Sequence, residues 1–128
     1  MRKEILVIDG NKAIRFLIQT IFKRYYKVVS VPDGVAAMQY LRRQAKPNLI
    51  IGSPELDDMG DWELIRHLSL SPFYNDIPLI VISSQPEDML QANVMKYNAV
   101  DCFSKPFNPL KLIGTVDALL LGSRIHKI

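Results

Sequence analysis

Short apolar runs alternate with amphipathic segments along the chain, and this alternation limits the fold more than any other feature of the sequence. The runs lie near residues 4–9, 27–31, 48–52, 78–83 and 100–104. Each is rich in β-branched or other apolar residues and mostly lacks polar alternation, which is typical of strands covered on both faces. Strands that alternate with helices in this way predict an α/β domain built on a five-stranded parallel sheet.

Capping residues and prolines locate five helices between and after these strands. The predicted first residues or caps, in chain order, are Lys12, Asp33, Asp61, a serine or glutamine just before Pro86, and Asn108 with Pro109. The first helix is expected to end near Arg24 and the second before Pro47. Five strand–helix units therefore follow one another.

The ends of the predicted strands carry the polar residues of interest. Right-handed crossovers place the helices on both sides of a parallel sheet, and ligands of such folds bind at the carboxyl ends of the strands. Asp9, Ser53, Ser83 and Lys105 each fall at such an end. We therefore expect these four residues to converge on one pocket.

Size and composition favour one domain spanning residues 1–128. A chain of 128 residues that is 48% hydrophobic can bury a substantial core, and no second domain fits, so a signal is expected to leave through a partner protein. Asp9 ends the first apolar run far short of a secretory signal, and no run approaches the roughly 20 residues that span a bilayer. Cys102 is the only cysteine, which excludes an intrachain disulfide. We expect a soluble, cytoplasmic protein without membrane contact.

The net charge of +3 makes an anionic partner one alternative. The cationic residues are spread along the chain, and many fall at predicted helix ends, where cations are favourable. No aromatic residues are interleaved with them, and no nucleic-acid-binding motif is present. We expect no nucleic-acid partner; a basic nucleic-acid or anion-binding domain is the alternative, and it predicts steeply salt-dependent binding.

Four segments carry a more specific pattern than the alternation itself. They are EILVIDGN at 4–11, PNLIIGS at 47–53, IPLIVISS at 77–84 and KPF at 105–107. In this order and spacing they resemble the receiver domain of bacterial two-component response regulators, over nearly the whole chain. The resemblance implies a doubly wound, flavodoxin-like sheet of strand order 2-1-3-4-5 with five helices. It also implies a phosphorelay signalling module rather than an enzyme.

Two of the three acids that the resemblance calls for are missing. In the family, two adjacent acids end strand one and an acceptor aspartate ends strand three; together they bind Mg²⁺ and accept a phosphoryl group from phosphohistidine. Asp9 matches the first acid, but Gly10 stands in the place of the second and Ser53 in the place of the acceptor. A neutral serine hydroxyl would form a stable phosphoester rather than a labile acyl phosphate. The resemblance thus predicts a degenerate pocket in a pseudo-receiver that cannot accept phosphate on aspartate.

The other pocket residues are expected to have structural roles. Lys105, without a phosphate, should pair with Asp9. Ser83 either donates to a phosphate or, as we expect, satisfies a nearby backbone carbonyl. Glu55 either replaces a lost carboxylate or, as we expect, belongs to a solvated acidic loop. We expect no metal or cofactor; the alternative is an active receiver that binds Mg²⁺ through Asp9 and substitute carboxylates such as Glu55 or Asp57.

The predicted output is phosphorylation-independent binding to another protein. In responsive receivers an aromatic residue of strand five moves behind the strand-four hydroxyl, and Cys102 occupies the aromatic place here. The resemblance points to the face formed by helix four, strand five and helix five. Its candidate residues are Met95, Lys96, Tyr97, Asn98, Cys102, Lys111 and Asp117. The expected partner is a histidine kinase or a downstream effector, and a homodimer through the same face is the alternative.

A second candidate contact surface lies between helix three and strand four. The segment Ser71–Asn75 is longer than a simple helix-to-strand joint and contains the aromatic pair Phe73 and Tyr74. If both side chains are exposed, the pair is a candidate contact surface.

Overall fold

A computed structural model of the chain contains five parallel strands in one sheet and five helices, as the sequence predicts. The strands are β1 (Glu4–Ile8), β2 (Lys27–Val31), β3 (Leu49–Gly52), β4 (Leu79–Ser83) and β5 (Asp101–Ser104). The helices are α1 (Lys12–Phe22), α2 (Gly34–Arg43), α3 (Glu63–Leu70), α4 (Glu87–Tyr97) and α5 (Pro109–Leu120). The structure describes residues 2–44 and 46–122. The predicted domain of 1–128 therefore includes residues that lie outside the described part.

The sheet has the order β2-β1-β3-β4-β5, which confirms the predicted topology. Ile8 pairs with Gly52 and Ser83 with Ser104, so neighbouring strands end at the same level. The Ser53 amide continues the β1–β3 ladder by donating to the Ile8 carbonyl at 2.8 Å. This register brings the polar residues that follow the strands to one edge of the sheet.

Alternate residues of the strands pack against two separate helix layers. Ile5, Val7 and Ile51 face α1 and α5, whereas Leu6, Ile8 and Ile50 face α2, α3 and α4. All six are nearly inaccessible to solvent, and full burial of such side chains contributes about 1.5–3 kcal/mol each. The pocket edge is thus carried by a rigid scaffold.

Helices α1, α2 and α5 begin as predicted. The side chains of Asn11, Asp33 and Asn108 accept hydrogen bonds from backbone amides of the first turns of these helices. Each bond satisfies one of the amides that a helix start leaves unpaired. Helix α1 ends at Phe22, two residues before the predicted Arg24.

The predicted starts of α3 and α4 were wrong. Trp62, not Asp61, is the cap of α3; it adopts a left-handed conformation (φ 66°) and makes no side-chain capping bond. The Trp62 amide donates to the Pro54 carbonyl at 2.8 Å, and its ring stacks on Tyr97, so tertiary contacts set this helix start. The cap of α4 is Pro86 itself, again without a side-chain bond.

Within the described part of the chain, no helix has both the length and the apolar character needed to cross a membrane.

Candidate functional site

The polar residues at the strand ends meet in one pocket. Asp9, Ser53 and Ser83 are all at most 4% exposed, and Lys105 is partly buried beside them. Gly10 follows Asp9 at the exposed rim. The structure therefore brings together all five residues that the sequence assigned to the degenerate pocket.

Asp9 and Lys105 form the predicted ion pair. The Lys105 ammonium lies 2.9 Å from Asp9 Oδ2, with side-chain exposures of 17% and 5%. Asp9 Oδ1 accepts a hydrogen bond from the Asn11 amide at 2.8 Å. Arg15 adds a second cation nearby by donating to the Asp9 carbonyl at 2.7 Å. Both carboxylate oxygens of Asp9 therefore already have partners within the protein.

Ser53 acts on the backbone of the following loop. Its hydroxyl donates to the Glu55 carbonyl and accepts from the Glu55 amide, both at 3.2 Å. A serine hydroxyl that bonds its own chain two residues on stabilises a tight turn. Ser53 thus orients Glu55.

The Glu55 carboxylate lies inside the pocket. It accepts hydrogen bonds from the Ser83 hydroxyl at 2.9 and 3.0 Å and from Gln85 Nε2 at 3.1 Å. The prediction that Glu55 belongs to a solvated loop was wrong, and so was the backbone carbonyl partner expected for Ser83. The physical reason is the Ser53 turn, which directs the carboxylate toward strand β4.

The electrostatic environment of Glu55 is mixed. Burial raises the pKa of its carboxyl, whereas the hydrogen bond from Ser83 lowers it. Asp61 and Asp9 raise the pKa further by repulsion, and Lys105 lowers it by attraction. The net pKa lies above the usual 4.5, which means that the ionised form of Glu55 is less favourable in the folded protein than in the unfolded chain.

Gln85 and Ser104 extend this network, and sequence reasoning missed both. The Ser104 hydroxyl donates to the Gln85 carbonyl at 2.7 Å, and the Gln85 amide donates to Ser83 Oγ at 3.1 Å. The only signal in the sequence is their position, each within two residues of a strand end. Glu55 is thereby connected to the end of β5.

Asp58, in the same acidic loop, has a structural role. Its carboxylate accepts from the Gly34 amide at 3.0 Å and the Val35 amide at 2.9 Å, at the start of α2. These bonds lower the pKa of Asp58, as expected for an anion at a helix N-terminus. Met59 packs closely over Gly34, since a Cβ at Gly34 would come within 2.3 Å of Met59 Cε and the flexible methionine side chain would have to move. Asp57 remains exposed.

The donor set does not fit Mg²⁺. Among the described residues, no group of three or more histidine, cysteine or acidic side chains is arranged to hold a metal ion. Asp9 is neutralised by Lys105, and the Glu55 carboxylate points toward Ser83 and Gln85. A magnesium site usually takes carboxylates that are free to coordinate.

The residues of the predicted partner face lie on two different sides of helix α4. A groove of about 810 Å³ lies between α4 and α5, and Lys111 and Cys102 are among the residues that line it. Tyr97 lies on the other side of α4, where its ring stacks on Trp62 at 5.5 Å and Lys96 covers it. Neither Lys96 nor Tyr97 lines the groove.

Two further residues of that face differ in exposure. Met95 is 84% exposed and is available to a partner. Cys102 is only 6% exposed and packs in the core beneath α4, so it forms part of the groove floor rather than a surface contact. Burial also raises the pKa of the Cys102 thiol, which keeps it protonated and unreactive.

Comparison with known proteins decides the family. The model of the response regulator receiver domain matches residues 5–117. The chain belongs to the receiver domain family. The fold is therefore that of a two-component receiver, and its strand ends carry the Asp9–Lys105 pair, with Gly10 after Asp9 and Ser53 after β3.

Relatives of this receiver include longer regulators and kinases. Regulatory protein VanRc of Enterococcus gallinarum is 26% identical over 94% of this chain and 51% of its own length. Transcriptional regulatory protein PhoP of Bacillus subtilis is 28% identical over 98% of this chain and 51% of its own. In hybrid signal transduction histidine kinase D of Dictyostelium discoideum the match covers only 7% of the protein. This receiver spans about half or less of these curated relatives.

Solved structures support the same fold. Chemotaxis response regulator CheY4 of Vibrio cholerae superimposes with a TM-score of 0.82 at 21% identity, over 94% of this chain and all of that one. The beryllofluoride-activated DrrB receiver domain gives a TM-score of 0.81 at 21% identity, over 94% of this chain and 98% of that one.

Proposed function

We propose that this receiver is a cytoplasmic, non-catalytic pseudo-receiver that binds a signalling partner without being phosphorylated on aspartate. The observation that carries the proposal is Ser53 in the acceptor position, whose hydroxyl is hydrogen-bonded only to the backbone of Glu55 among the described residues. The phosphoryl transfer of receivers needs a carboxylate nucleophile and a hard dication. Neither requirement is met by a neutral hydroxyl beside a neutralised Asp9.

Glu55 supports a fixed conformation of the pocket. Its carboxylate accepts hydrogen bonds from Ser83 and Gln85, and Lys105 attracts it electrostatically. The β3–α3 loop is thereby tied to the β4–α4 loop without any transferred group. In this proposal the module presents one permanent surface.

The proposed partner surface is the groove between α4 and α5. Ser104, which bonds Gln85, lines this groove, so the Glu55 network ends at its wall. Met95 and Lys111 are exposed on the two helices that border it. The partner would be a histidine kinase or a downstream effector, and a second copy of this chain is the alternative.

Intact-mass spectrometry tests the loss of phosphorylation. The protein is incubated with acetyl phosphate and Mg²⁺, and a receiver that retains all three acids serves as the positive control. We expect no added phosphoryl group on this chain. A Mg²⁺-dependent modification mapped to Asp9, Glu55 or Asp57 would support the active-receiver alternative instead.

Sedimentation velocity tests the homodimer. A concentration-dependent dimer that Lys111→Glu disrupts would assign the α4–α5 groove to self-association, because Lys111 lines that groove. A monomer at all concentrations would leave a different protein as the partner.

A further inference from the structure

A second groove, which none of the five pocket residues lines, is not used by the proposed function. It has a volume of about 980 Å³ and lies between α2, α3 and the loop 71–74. Its floor contains the apolar side chains Met38, Leu41 and Leu64. We call it the α2–α3 groove.

Two large apolar side chains stand exposed at its edge. Leu70 is 67% exposed and Phe73 is 72% exposed, and both line the groove. Single exposed apolar residues are common, but an apolar floor with adjoining exposed anchors marks a contact surface. Of the aromatic pair Phe73 and Tyr74, only Phe73 is exposed as the contact surface requires, because Tyr74 is partly buried against the core.

Phe73 is presented by a hydrogen-bonded turn. Its amide donates to Ser71 Oγ at 3.2 Å, and the amides of Tyr74 and Asn75 donate to the Ser71 carbonyl at 3.2 and 2.9 Å. The turn holds the ring outward before any partner arrives. Such preorganisation reduces the entropy lost on binding.

The rim of the groove is cationic. Arg42 on α2 and Arg66 on α3 line it, and neither has an ion-pair partner among the described residues. Glu63 is the one acid in the lining, and its Oε1 already accepts from the Gly60 amide at 3.0 Å. Two arginines against one glutamate give the lining a positive net charge, which is complementary to carboxylates.

The walls of the groove favour a helical occupant. They are formed mostly by two helices, which offer side chains but no free row of backbone donors and acceptors. An extended peptide would leave its own backbone groups unpaired there, whereas a helix satisfies them internally. We infer that the α2–α3 groove docks an amphipathic helix of another protein whose apolar stripe is flanked by Asp or Glu.

The test titrates a synthetic helix into ¹⁵N-labelled protein. α3 has eight residues and is about 12 Å long, so a peptide of about 14 residues, ~21 Å as a helix, covers the groove. The probe carries Leu at i, i+4, i+7 and i+11 with Glu on both flanks. Its controls are a Lys-for-Glu version and a permuted version of equal composition. We expect saturable amide shifts confined to α3, the end of α2 and residues 71–74.

Matched variants of the protein test the two proposed contributions to binding, which are charge complementarity at the rim and apolar contact at Phe73. Arg66→Glu and Arg42→Glu should each weaken binding about tenfold at low salt, because a complementary charge becomes a like charge. Arg43→Glu makes the same charge change on the neighbouring residue outside the groove and should change binding less than about twofold. Phe73→Ser should weaken binding at least about tenfold. Phe16→Ser, equally exposed at 72% on α1, should have no effect.

Several results would overturn the inference. These are no saturable shift at millimolar peptide, equal binding of the Lys-flanked peptide, or shifts at the α4–α5 groove. Binding of a single-stranded oligonucleotide at Arg42 and Arg66 in place of the peptide would assign the rim to nucleic acid. Self-association lost in Phe73→Ser would assign it to a second copy. The altered residues are exposed, and amide dispersion of each variant checks that it folds.

Discussion

Replacing Glu55 by glutamine tests what the carboxylate inside the pocket contributes. Glu55→Gln keeps the shape of the side chain and removes its charge. The introduced amide oxygen can still accept from the Ser83 hydroxyl. Its NH₂ group then faces Gln85 Nε2, but Gln85 can turn its own amide around. Gln85 Oε1 is buried without a hydrogen-bond partner among the described residues, so this rotation breaks no hydrogen bond of that oxygen.

The expected change in stability follows from two opposing contributions. Exchanging a charged for a neutral acceptor weakens two hydrogen bonds by about 1 kcal/mol each. Against this, the neutral side chain avoids the burial cost and the repulsion from Asp61 and Asp9. Because the net pKa of Glu55 is raised, the second contribution exceeds the first. We expect Glu55→Gln to raise the free energy of unfolding at pH 7 by up to about 1 kcal/mol, limited by solvent screening of a partly exposed group.

The pH dependence of the difference in unfolding free energy shows whether the Glu55 carboxylate stabilises or destabilises the folded protein. An acid with a raised pKa in the folded state destabilises the protein fully above that pKa, and not at all below its unfolded value near 4.5. The difference between variant and wild type should therefore disappear as the pH falls below about 4.5. Urea unfolding followed by circular dichroism at pH 4 to 7 measures it. Asp57→Asn, on an exposed residue of the same loop, is the control and should stay within about 0.5 kcal/mol.

The reasoning is refuted if Glu55→Gln destabilises the protein by more than about 1 kcal/mol at pH 7. That result would mean that the ionised carboxylate of Glu55 makes a net favourable contribution to the stability of the fold. A stabilised variant whose Ser83, Gln85 and Ser104 amide signals move would mean that the carboxylate is kept for the conformation it imposes.

Three further perturbations test other parts of the structure. Lys105→Met should destabilise by about 3 kcal/mol, since Asp9 is left buried without its cation, and the double variant with Asp9→Asn should recover most of the loss in urea unfolding. Asn98 ends α4 in a left-handed conformation (φ 61°), so Asn98→Gly should be neutral or slightly stabilising and Asn98→Ala should destabilise by about 1 kcal/mol in thermal unfolding. Asp58→Asn should lower the melting temperature at pH 7, and the difference should vanish as the pH falls through the lowered pKa of Asp58, since an acid with a depressed pKa stabilises only while ionised.

The fold could be predicted because it depends on local patterns that agree with each other. Each apolar run became a strand within a residue or two of its predicted bounds, and Asn11, Asp33 and Asn108 cap their helices. These signals act over three or four residues, so they survive in the isolated sequence. The Asp9–Lys105 pair was predictable because both residues follow strands that end at the same edge of the sheet.

The loop conformations could not be predicted in the same way. The inward turn of Glu55 depends on the Ser53 hydroxyl and on donors from residues 83 and 85, which are distant in the chain. Charged loop residues are usually solvated, so the default expectation was wrong here. Trp62 displaced the expected cap at Asp61 for a similar reason, since its stacking on Tyr97 is a contact between distant segments. Helix and turn propensities depend on neighbouring residues, so they cannot predict contacts between distant segments.

The central claim is tested most directly by amide NMR spectra of the protein alone, with Mg²⁺, and with Mg²⁺ plus beryllofluoride, which mimics a phosphorylated carboxylate. A pseudo-receiver with a pocket already filled by Glu55 predicts unchanged signals at Asp9, Ser53, Ser83 and Lys105. Saturable shifts at these residues that spread to α4 and β5 would contradict the account and show that the remaining acids form a working phosphoryl switch.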